Sequence, residues 1–290
     1  MRLPRTRLAR VQLAVVLLLL ALAAWSVLVE PRWVARRELQ ATLRKWQQGQ
    51  PLRVAVAADW HFTRNALWRV MTVERARGIV DEINAAHPDL ILLPGDFIAD
   101  RDFTPGAHRT AEDAIAAELG RLKAPLGIVA VLGNHDWHHG GAAFTGALRR
   151  RGITVLENEA QPLAGTPLWI AGVGDHSTGH SRPADALRGV PANVPVLVLM
   201  HDPASLMDMP PVPGLIVAAH THGGQVYLPG IGAPIVPGAA PRAWAYGWIT
   251  HGDNRMYVTS GLGVSILPVR FNMRPEWVMF TLGPQPEKAK

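Results

Sequence analysis

The hydrophobic positions of this 290-residue chain fall into short runs that polar, Gly-rich and Pro-rich segments separate. Near-continuous runs of Val, Ile, Leu and Ala are typical of strands that are buried on both faces of a sheet. Six such runs are LRVAVAAD (52–59), DLILLPGD (89–96), GIVAVLGNHD (127–136), PLWIAGVGD (167–175), VPVLVLMHD (194–202) and GLIVAAHTHGG (214–224). Each is predicted to be a strand followed by a polar turn.

Helix-like stretches lie between the early runs, at roughly 66–86, 107–123 and 140–151. An alternation of strand, helix and strand predicts crossover connections and an α/β sandwich. After residue 226, Gly and Pro are frequent and two further strands are predicted, RMYVTSG (255–261) and EWVMFTL (276–282).

The longest apolar run lies near the amino terminus. Residues 11–29 include no charge over 19 positions, about the length that crosses the hydrocarbon core as a helix. We interpret 1–10 as a basic tail, 11–29 as a transmembrane anchor, 30–50 as an amphipathic connector and 51–284 as the folded domain. A cleaved signal peptide is the alternative, because ALA at 21–23 could serve as a cleavage site.

Four arginines before this run favour an amino terminus in the cytoplasm, although the arginines that follow it weaken that orientation. We expect a single-pass protein of the cell inner membrane with its folded domain in the periplasm or otherwise outside the cytoplasm. Trp25, Trp33 and Trp46 lie near the outer end, where indole rings prefer the membrane interface.

Charge and cysteine content exclude several function classes. The formal net charge is +6, but residues 1–50 hold nine Arg and Lys and two Asp and Glu, so the remainder has a net charge of −1. A near-neutral body lacks the basic footprint of a phosphate-backbone binder, and we expect no nucleic-acid partner. The chain has no cysteine, which excludes disulfides, thiolate nucleophiles and Cys-type zinc sites.

Acidic, amide and imidazole side chains follow almost every early strand. In order they are Asp59, His61, Asp96, Asn134, His135, Asp136, Asp175, His201, Asp202, His220 and His222. Ligands bind at the carboxyl ends of strands in open α/β sheets, so we expect these side chains to share one rim. In an extended backbone, His220 and His222 would project from the same side, whereas His135 would point away from its neighbour Asn134.

Five segments resemble, in order, the motif blocks of the calcineurin-like metallophosphoesterase superfamily. They are DWH (59–61), GDF (95–97), GNHD (133–136), MHDP (200–203) and HTHGGQ (220–225). The segment at 261–282 is similar to the carboxyl-terminal signature of the bacterial branch with a membrane or export segment. The resemblance covers about 52–282 and departs from the usual pattern at Trp60 and Ala219, where leucine and glycine are commoner.

This resemblance implies a four-layer α-β-β-α sandwich behind an amino-terminal transmembrane helix, and a hydrolase with two divalent metal ions. One ion would be held by Asp59, His61, Asp96 and His222, and the second by Asp96, Asn134, His201 and His220, with Asp96 bridging. His135 would contact the phosphate or protonate the leaving oxygen, while Asp136 would orient that imidazole or support the ligands from behind. This ligand set suits Mn, Fe or Zn without singling one out.

No single block is specific, because Asp-x-His and Gly-Asn also occur in ordinary turns. The alternative function is a metal-binding envelope protein without turnover. A zinc peptidase or a serine hydrolase is not indicated, since the chain has neither His-Glu-x-x-His nor Gly-x-Ser-x-Gly.

The substrate is expected to be a phosphorylated small molecule or a lipid-linked molecule of the cell envelope. Relatives with this layout imply a specific alternative, the pyrophosphate of UDP-diacylglucosamine in lipid A synthesis, against which a site outside the cytoplasm would argue. Trp244, Tyr246 and Trp248 have a period of two, which predicts one face of a strand or an aromatic rim. Trp60, Trp68 and Trp137 would add to such a rim.

Overall fold

The computed structural model of the protein describes residues 6–46, 49–63, 70–99 and 109–284. Trp68 and parts of the predicted helices at 66–86 and 107–123 lie outside these residues. The α-helices within them are α1 (Arg7–Ala24), α2 (Val73–Ala85), α3 (Arg109–Leu119), α4 (Asn134–His138), α5 (Gly141–Arg149) and α6 (Pro183–Ala186). A π-helical turn (Trp25–Val29) and a 3₁₀ turn (Glu30–Arg32) prolong α1.

The strands form two mixed sheets. The first has the order β1-β12-β2-β3-β4-β5 and the second β10-β11-β9-β8-β7-β6. Their bounds are β1 (Ala35–Leu43), β2 (Leu52–Val56), β3 (Leu90–Leu93), β4 (Ile128–Ala130), β5 (Ile153–Val155), β6 (Glu159–Pro162), β7 (Trp169–Gly172), β8 (Val196–Leu199), β9 (Gly214–Ala218), β10 (Gly247–His251), β11 (Asn254–Val258) and β12 (Glu276–Pro284). The pairs β12–β2, β6–β7 and β10–β11 are antiparallel.

Three apolar clusters arrange these elements in four layers. The central cluster lies between the sheets and joins Val56 and Leu92 of the first to Leu199 and Val217 of the second. One outer cluster packs α2, α3 and α5 on the first sheet. The other packs α6 and the 3₁₀ turn Pro203–Asp208 on the second sheet. The α/β sandwich expected from the sequence is therefore confirmed.

All six early runs contain a strand, each shorter than its run because the chain turns before the polar residues. The interpretation of residues 35–43 as part of a connector is wrong, since they form β1, which pairs in parallel with β12 over its whole length. β1 is an edge strand with mostly exposed positions, so it lacks the continuous apolar run by which buried strands are recognised.

The amino-terminal segment Arg7–Arg32 is one helical unit that is long and apolar enough to cross a membrane, by length and composition. Trp25 and Trp33 are partly exposed and pack edge to face at its end. Trp46, in contrast, is buried in the central core, so its expected place at the interface is wrong. Its position three residues past β1 folds it back between the sheets instead.

Strand directions place the end of this helix beside the carboxyl ends of the parallel strands. Ala35 at the start of β1 pairs with Glu276 at the start of β12, and β12 runs antiparallel to β2. The chain therefore enters the first sheet at the edge where β2 ends, which is the edge that carries Asp59.

Candidate metal centre

The seven predicted ligands meet at this edge, where strand ends from the two facing sheets come together. Asp59 and His61 follow β2, Asp96 follows β3, and Asn134 begins α4 after β4. The second sheet supplies His201 after β8, and His220 and His222 after β9. All are buried except Asn134, which is half-buried. The structure thus brings together every residue predicted to bind metal.

Their donor atoms form three overlapping groups, each compact enough to hold a cation. These are Asp59, His61 and His222; His61, Asp96 and His135; and Asp96, His201 and His220. Within each group all donor atoms lie within 4.8 Å of one another. Asp96 and His61 each belong to two groups, so the three groups share ligands.

Imidazole nitrogens face one another across the site. His61 Nε2 lies 3.0 Å from His222 Nε2, and His220 Nδ1 lies 3.1 Å from His201 Nε2. His201 Nε2 is also 3.2 Å from Asp96 Oδ2 and 3.2 Å from Asn134 Oδ1. Convergence of lone-pair donors at these distances is what a bound cation requires of its ligands.

Contacts behind the ligands fix their orientation. His201 Nδ1 donates to the Pro94 carbonyl at 2.8 Å, which leaves Nε2 of the same ring directed at Asp96. The backbone N–H of His220 donates to both carboxylate oxygens of Asp59 at 3.2 Å. Such bonds to the far side of a ligand set the imidazole tautomer and hold the ring in place.

Five of the seven predicted ligands have a strained backbone. Positive φ angles of 46° to 70° occur at Asp59, His61, Asp96, His220 and His222. This left-handed region is uncommon for residues other than glycine, and clusters of it mark functional sites. The 220–222 segment is therefore not extended, and the expected alternation of side chains does not explain how His220 and His222 reach the site.

Gly133 permits the closest approach of two loops. A Cβ at this position would collide with the carboxylate and backbone of Asp96. The absence of a side chain lets the start of α4 pack directly on the loop after β3, so that the His135 N–H donates to Asp96 Oδ1 at 3.0 Å.

His135 lies at the open side of the ligand cluster. Its side chain is 13% exposed and its Nε2 is 3.9 Å from Asp96 Oδ2. The expectation that an extended backbone separates it from Asn134 is wrong, since both belong to α4. In a helix consecutive side chains diverge by about 100°. His135 packs edge to face on His61 with ring centroids 4.7 Å apart.

Asp136 supports the ligand loops from behind. Its Oδ1 accepts hydrogen bonds from the N–H groups of Phe97 and Ile98, and its Oδ2 accepts one from Gly133. These bonds join the loop that carries Asp96 to the start of α4. Asp136 is expected either to orient the His135 imidazole or to support the ligands from behind. The geometry favours the supporting role.

The electrostatics of the cluster fit a cationic occupant. Burial, together with the negative charge of nearby Asp96, raises the pKa of Asp59 to about 7 against the opposing effect of His201. Burial also raises the pKa of Asp136 to about 7. Carboxyl groups that are costly to ionise in the protein alone become stable as anions beside a divalent cation.

The histidines divide into two kinds. Burial lowers the pKa of His61 to about 3 and also lowers the pKa values of His220 and His222, so these rings are neutral and offer lone pairs. Burial opposes the charged form of His201 as well, but the carboxylates of Asp96, Asp59 and Asp175 together outweigh it and hold the pKa of His201 well above its usual range. A cation in place of that proton would make the same contact with Asp96.

Arg270 is a site residue that the sequence reasoning did not single out. It is fully buried and its Nη2 lies 3.4 Å from His222 Nδ1. The same guanidinium donates to the carbonyls of Ser260, Gly261 and Gly263, which form the wall behind Asp59. Its only sequence signal is its place inside the carboxyl-terminal segment that resembles the bacterial branch.

The ligand cluster opens into a cavity of about 280 Å³. One wall is polar and includes Asn134, His135 and His220. The apolar part of the lining includes Pro237, Val264 and Ile266. A phosphoryl group at the ligand end would therefore have room for an attached apolar group.

The predicted aromatic rim is wrong for Trp60, and the alternative of one strand face is wrong for Trp244 and Trp248. Trp60 is fully buried and stacks on Phe62, with its Nε1 donating to the Ala57 carbonyl at 3.1 Å. Trp244 lies in a 3₁₀ turn and Trp248 in β10, so they do not share one strand face. Local turn geometry between them, at residues 245–246, breaks the period of two.

Comparison with known proteins agrees with this site. The family model of calcineurin-like phosphoesterases matches residues 52–224. The chain belongs to the calcineurin-like phosphoesterase family. Its fold and its activity as a hydrolase of phosphoesters, expected from the five motif blocks, are thereby confirmed.

Two bacterial relatives in this family match most of the chain. It is 34% identical to "Phosphodiesterase YaeI" of Escherichia coli over 80% of this chain and 82% of that protein. It is 33% identical to "Uncharacterized metallophosphoesterase YkuE" of Bacillus subtilis over 73% of each. A bovine "Transmembrane protein with metallophosphoesterase domain" is 27% identical over 70% of this chain and 48% of that protein.

Proposed function

We propose that this phosphoesterase cleaves a phosphodiester with a binuclear centre of Mn, Fe or Zn ions. Asp59, His61, Asp96 and His222 would hold one ion, and Asp96, Asn134, His201 and His220 the other. The observation that carries the proposal is the overlap of donor groups at Asp96, whose carboxylate lies within reach of His61 at 3.5 Å and His201 at 3.2 Å. The phosphodiesterase name of the Escherichia coli relative supports the ester class.

When bound, such a pair of cations supplies a nucleophilic water at neutral pH and stabilises charge on the phosphoryl oxygens. Hydrolysis breaks one P–O bond, places the oxygen of water on phosphorus and releases the alcohol with a proton. His135 stands on the open side of the cluster, where its imidazole would donate that proton to the leaving oxygen. Asp136 would keep the loops of Asp96 and Asn134 in register during the reaction.

Metal removal tests the proposal directly. Prolonged dialysis of the purified full-length protein against a chelator is expected to abolish hydrolysis of bis(p-nitrophenyl) phosphate. Mn²⁺ or another transition metal should restore activity better than Ca²⁺, because an imidazole-rich ligand set matches a hard calcium ion poorly. Full activity in the chelator, with metal absent by elemental analysis, would contradict a binuclear centre. Metal bound without turnover on any phosphoester would favour the alternative of a metal-binding envelope protein.

We also propose that Arg7–Arg32 anchors the protein in the inner membrane with the catalytic domain outside the cytoplasm. Support comes from the apolar exposed helix, from the four arginines that precede residue 11, and from the membrane-linked bovine relative. In this location, a lipid-linked or cell-envelope phosphoester is accessible. The UDP-diacylglucosamine alternative would instead require the domain to face the cytoplasm.

A reporter that is active only in the periplasm, fused after Lys290, is expected to be active and to sediment with membranes. Its activity follows from the placement of positive charge before the helix. A soluble mature chain that starts near Ala24 would identify a cleaved signal peptide. Activity of a cytoplasmic reporter alone would reverse the orientation and favour the nucleotide-linked substrate.

A further inference from the structure

A group of large apolar side chains is exposed on the two loops that supply Pro237 and Ile266 to the catalytic cavity. Its members, here called the apolar rim, are Tyr227, Ile231, Ile235, Ile266 and Leu267, with exposures of 41% to 76%. Ile266 also lines the cavity itself. Grouped apolar exposure next to a site marks a surface that meets another apolar body.

Hydrogen bonds join the two loops that carry the rim. The Gln225 side chain donates to the Leu267 carbonyl at 3.2 Å and accepts from the Ser265 N–H at 2.7 Å. The Tyr227 N–H donates to the Phe271 carbonyl at 2.8 Å. The rim is therefore a connected surface of the domain rather than a set of independent loop tips.

The same loops hold the base of the amino-terminal helix. The Arg270 N–H donates to the Ser26 carbonyl at 2.9 Å, and the Met273 N–H donates to Glu30 Oε1 at 2.8 Å. Glu30 is buried and its other carboxylate oxygen accepts from Trp25 Nε1 at 2.9 Å. The helix is thus fixed to the domain at the rim and is not a loose tether.

A groove of about 560 Å³ shows how far the rim loops reach along the helix. Leu22 and Trp25 of the helical segment line it together with Pro229 and Phe271 of the rim loops. Pro229 therefore borders the same groove as Leu22, which belongs to the apolar stretch 11–29. A bilayer around Leu22 would lie close to the loop of Pro229 and Ile231.

Side chains at the helix base match the boundary of a bilayer. Trp25 and Trp33 pack edge to face there, and the Arg274 guanidinium lies over the Trp33 ring at 3.8 Å. Indole rings prefer the interface, and cations beside them attract anionic headgroups. The order of apolar helix, indole pair and arginine follows the order of acyl chains, interface and headgroups.

We infer that the apolar rim inserts into the surface of the bilayer that holds the helix, so that the catalytic cavity opens toward lipid headgroups. The substrate class is then a phosphodiester borne by a membrane lipid. This inference rests on the proposed anchoring and hydrolysis. It adds an orientation to them, because the two loops that carry the rim both line the catalytic cavity and contact the base of the helix.

Insertion can be measured without any assay of activity. The chain has no cysteine, so Ile231→Cys in the full-length protein gives a single labelling position. With an NBD label and reconstitution into phosphatidylethanolamine–phosphatidylglycerol vesicles, brominated acyl chains are expected to quench the label. The matched control is Lys123→Cys, an exposed position before β4 at the opposite edge of the sheet, whose label should stay unquenched. Equal, water-like emission from both labels would overturn the inference.

Turnover separates this inference from the proposed function. Two probes share one leaving group: bis(p-nitrophenyl) phosphate in solution and dioleoylphosphatidyl-p-nitrophenol in vesicles. The double variant Ile231→Ser/Ile235→Ser is expected to keep turnover of the soluble probe within about twofold and to lose about tenfold on the vesicle probe. Unchanged turnover of both probes, or equal loss on both, would contradict docking. If the native chain hydrolyses neither probe, the proposed phosphodiesterase function fails, while the labels still decide insertion.

Discussion

Asp96→Asn is expected to lower metal content and to reduce turnover by roughly 10³-fold or more. The carboxylate of Asp96 is the donor shared by two of the three ligand groups, and it lies 3.2 Å from His201 and 3.5 Å from His61. An amide of the same shape keeps the volume but removes the negative charge between the proposed cations. Since metal ions supply several kcal/mol of transition-state stabilisation and 1.36 kcal/mol corresponds to tenfold, a loss of this size follows.

The matched control is Glu276→Gln, another neutralised carboxyl group that is buried at the same edge. Glu276 accepts hydrogen bonds from Tyr246 at 2.8 Å and Tyr257 at 3.1 Å and belongs to none of the three ligand groups. The Glu276→Gln substitution should lower the free energy of unfolding without removing metal from the folded protein. Metal analysis, thermal unfolding and steady-state kinetics on both variants make the comparison. Full metal occupancy in the Asp96→Asn variant would contradict the proposal that the Asp96 carboxylate bridges the two ions.

The sequence predicts the sheets well because their interior strands are buried on both faces and so leave continuous apolar runs. The sequence predicts the ligand cluster for a related reason. Each run ends in a polar residue, such as Asp59 or His201, that is costly to bury without a partner. β1 escapes this reasoning because an edge strand needs few apolar positions. Its polar pattern resembles an amphipathic connector until pairing with β12 is known.

The backbone conformation of the ligands and the place of Arg270 could not be predicted from the sequence, for a different reason. Asp96 and His220 adopt left-handed backbones, which are uncommon for residues other than glycine, and the surrounding fold imposes that conformation. Arg270 is hidden because an isolated arginine in a Pro-rich segment resembles an ordinary surface residue. Only the folded loops show that it holds the wall behind Asp59 and carries the hydrogen bond to Ser26 at the helix base.

The connection through Arg270 also relates anchoring to the catalytic residues. Arg270 bonds the helix through its backbone N–H and approaches His222 through its side chain, so the distance between the helix base and the ligand cluster is fixed by a few covalent and hydrogen bonds. A rigid junction of this kind suits a site that must meet its substrate at a constant height. A long flexible linker would suit a soluble substrate equally well, and the structure has none at this point within residues 26–46.

His135→Ala is expected to keep close to the full metal content and to lose roughly 10²-fold or more in turnover, the range typical of a positioned imidazole that assists a leaving group. His135 lies on the open side of the cluster, where its Nε2 is 3.9 Å from Asp96 Oδ2, farther than the 3.2 Å contact that His201 makes with the same oxygen. That difference favours contact with substrate over metal ligation.

The matched control for His135→Ala is His138→Ala, the same substitution at an exposed position of the same short helix, which should leave both metal content and turnover unchanged. Substrates with progressively better leaving groups add a second readout. The loss in His135→Ala should shrink as the leaving-group pKa falls, because a good leaving group needs no proton. Turnover at the native rate would remove His135 from the reaction. Loss of metal to the extent seen in Asp96→Asn would instead make His135 a ligand, which its place in one donor group with His61 and Asp96 allows.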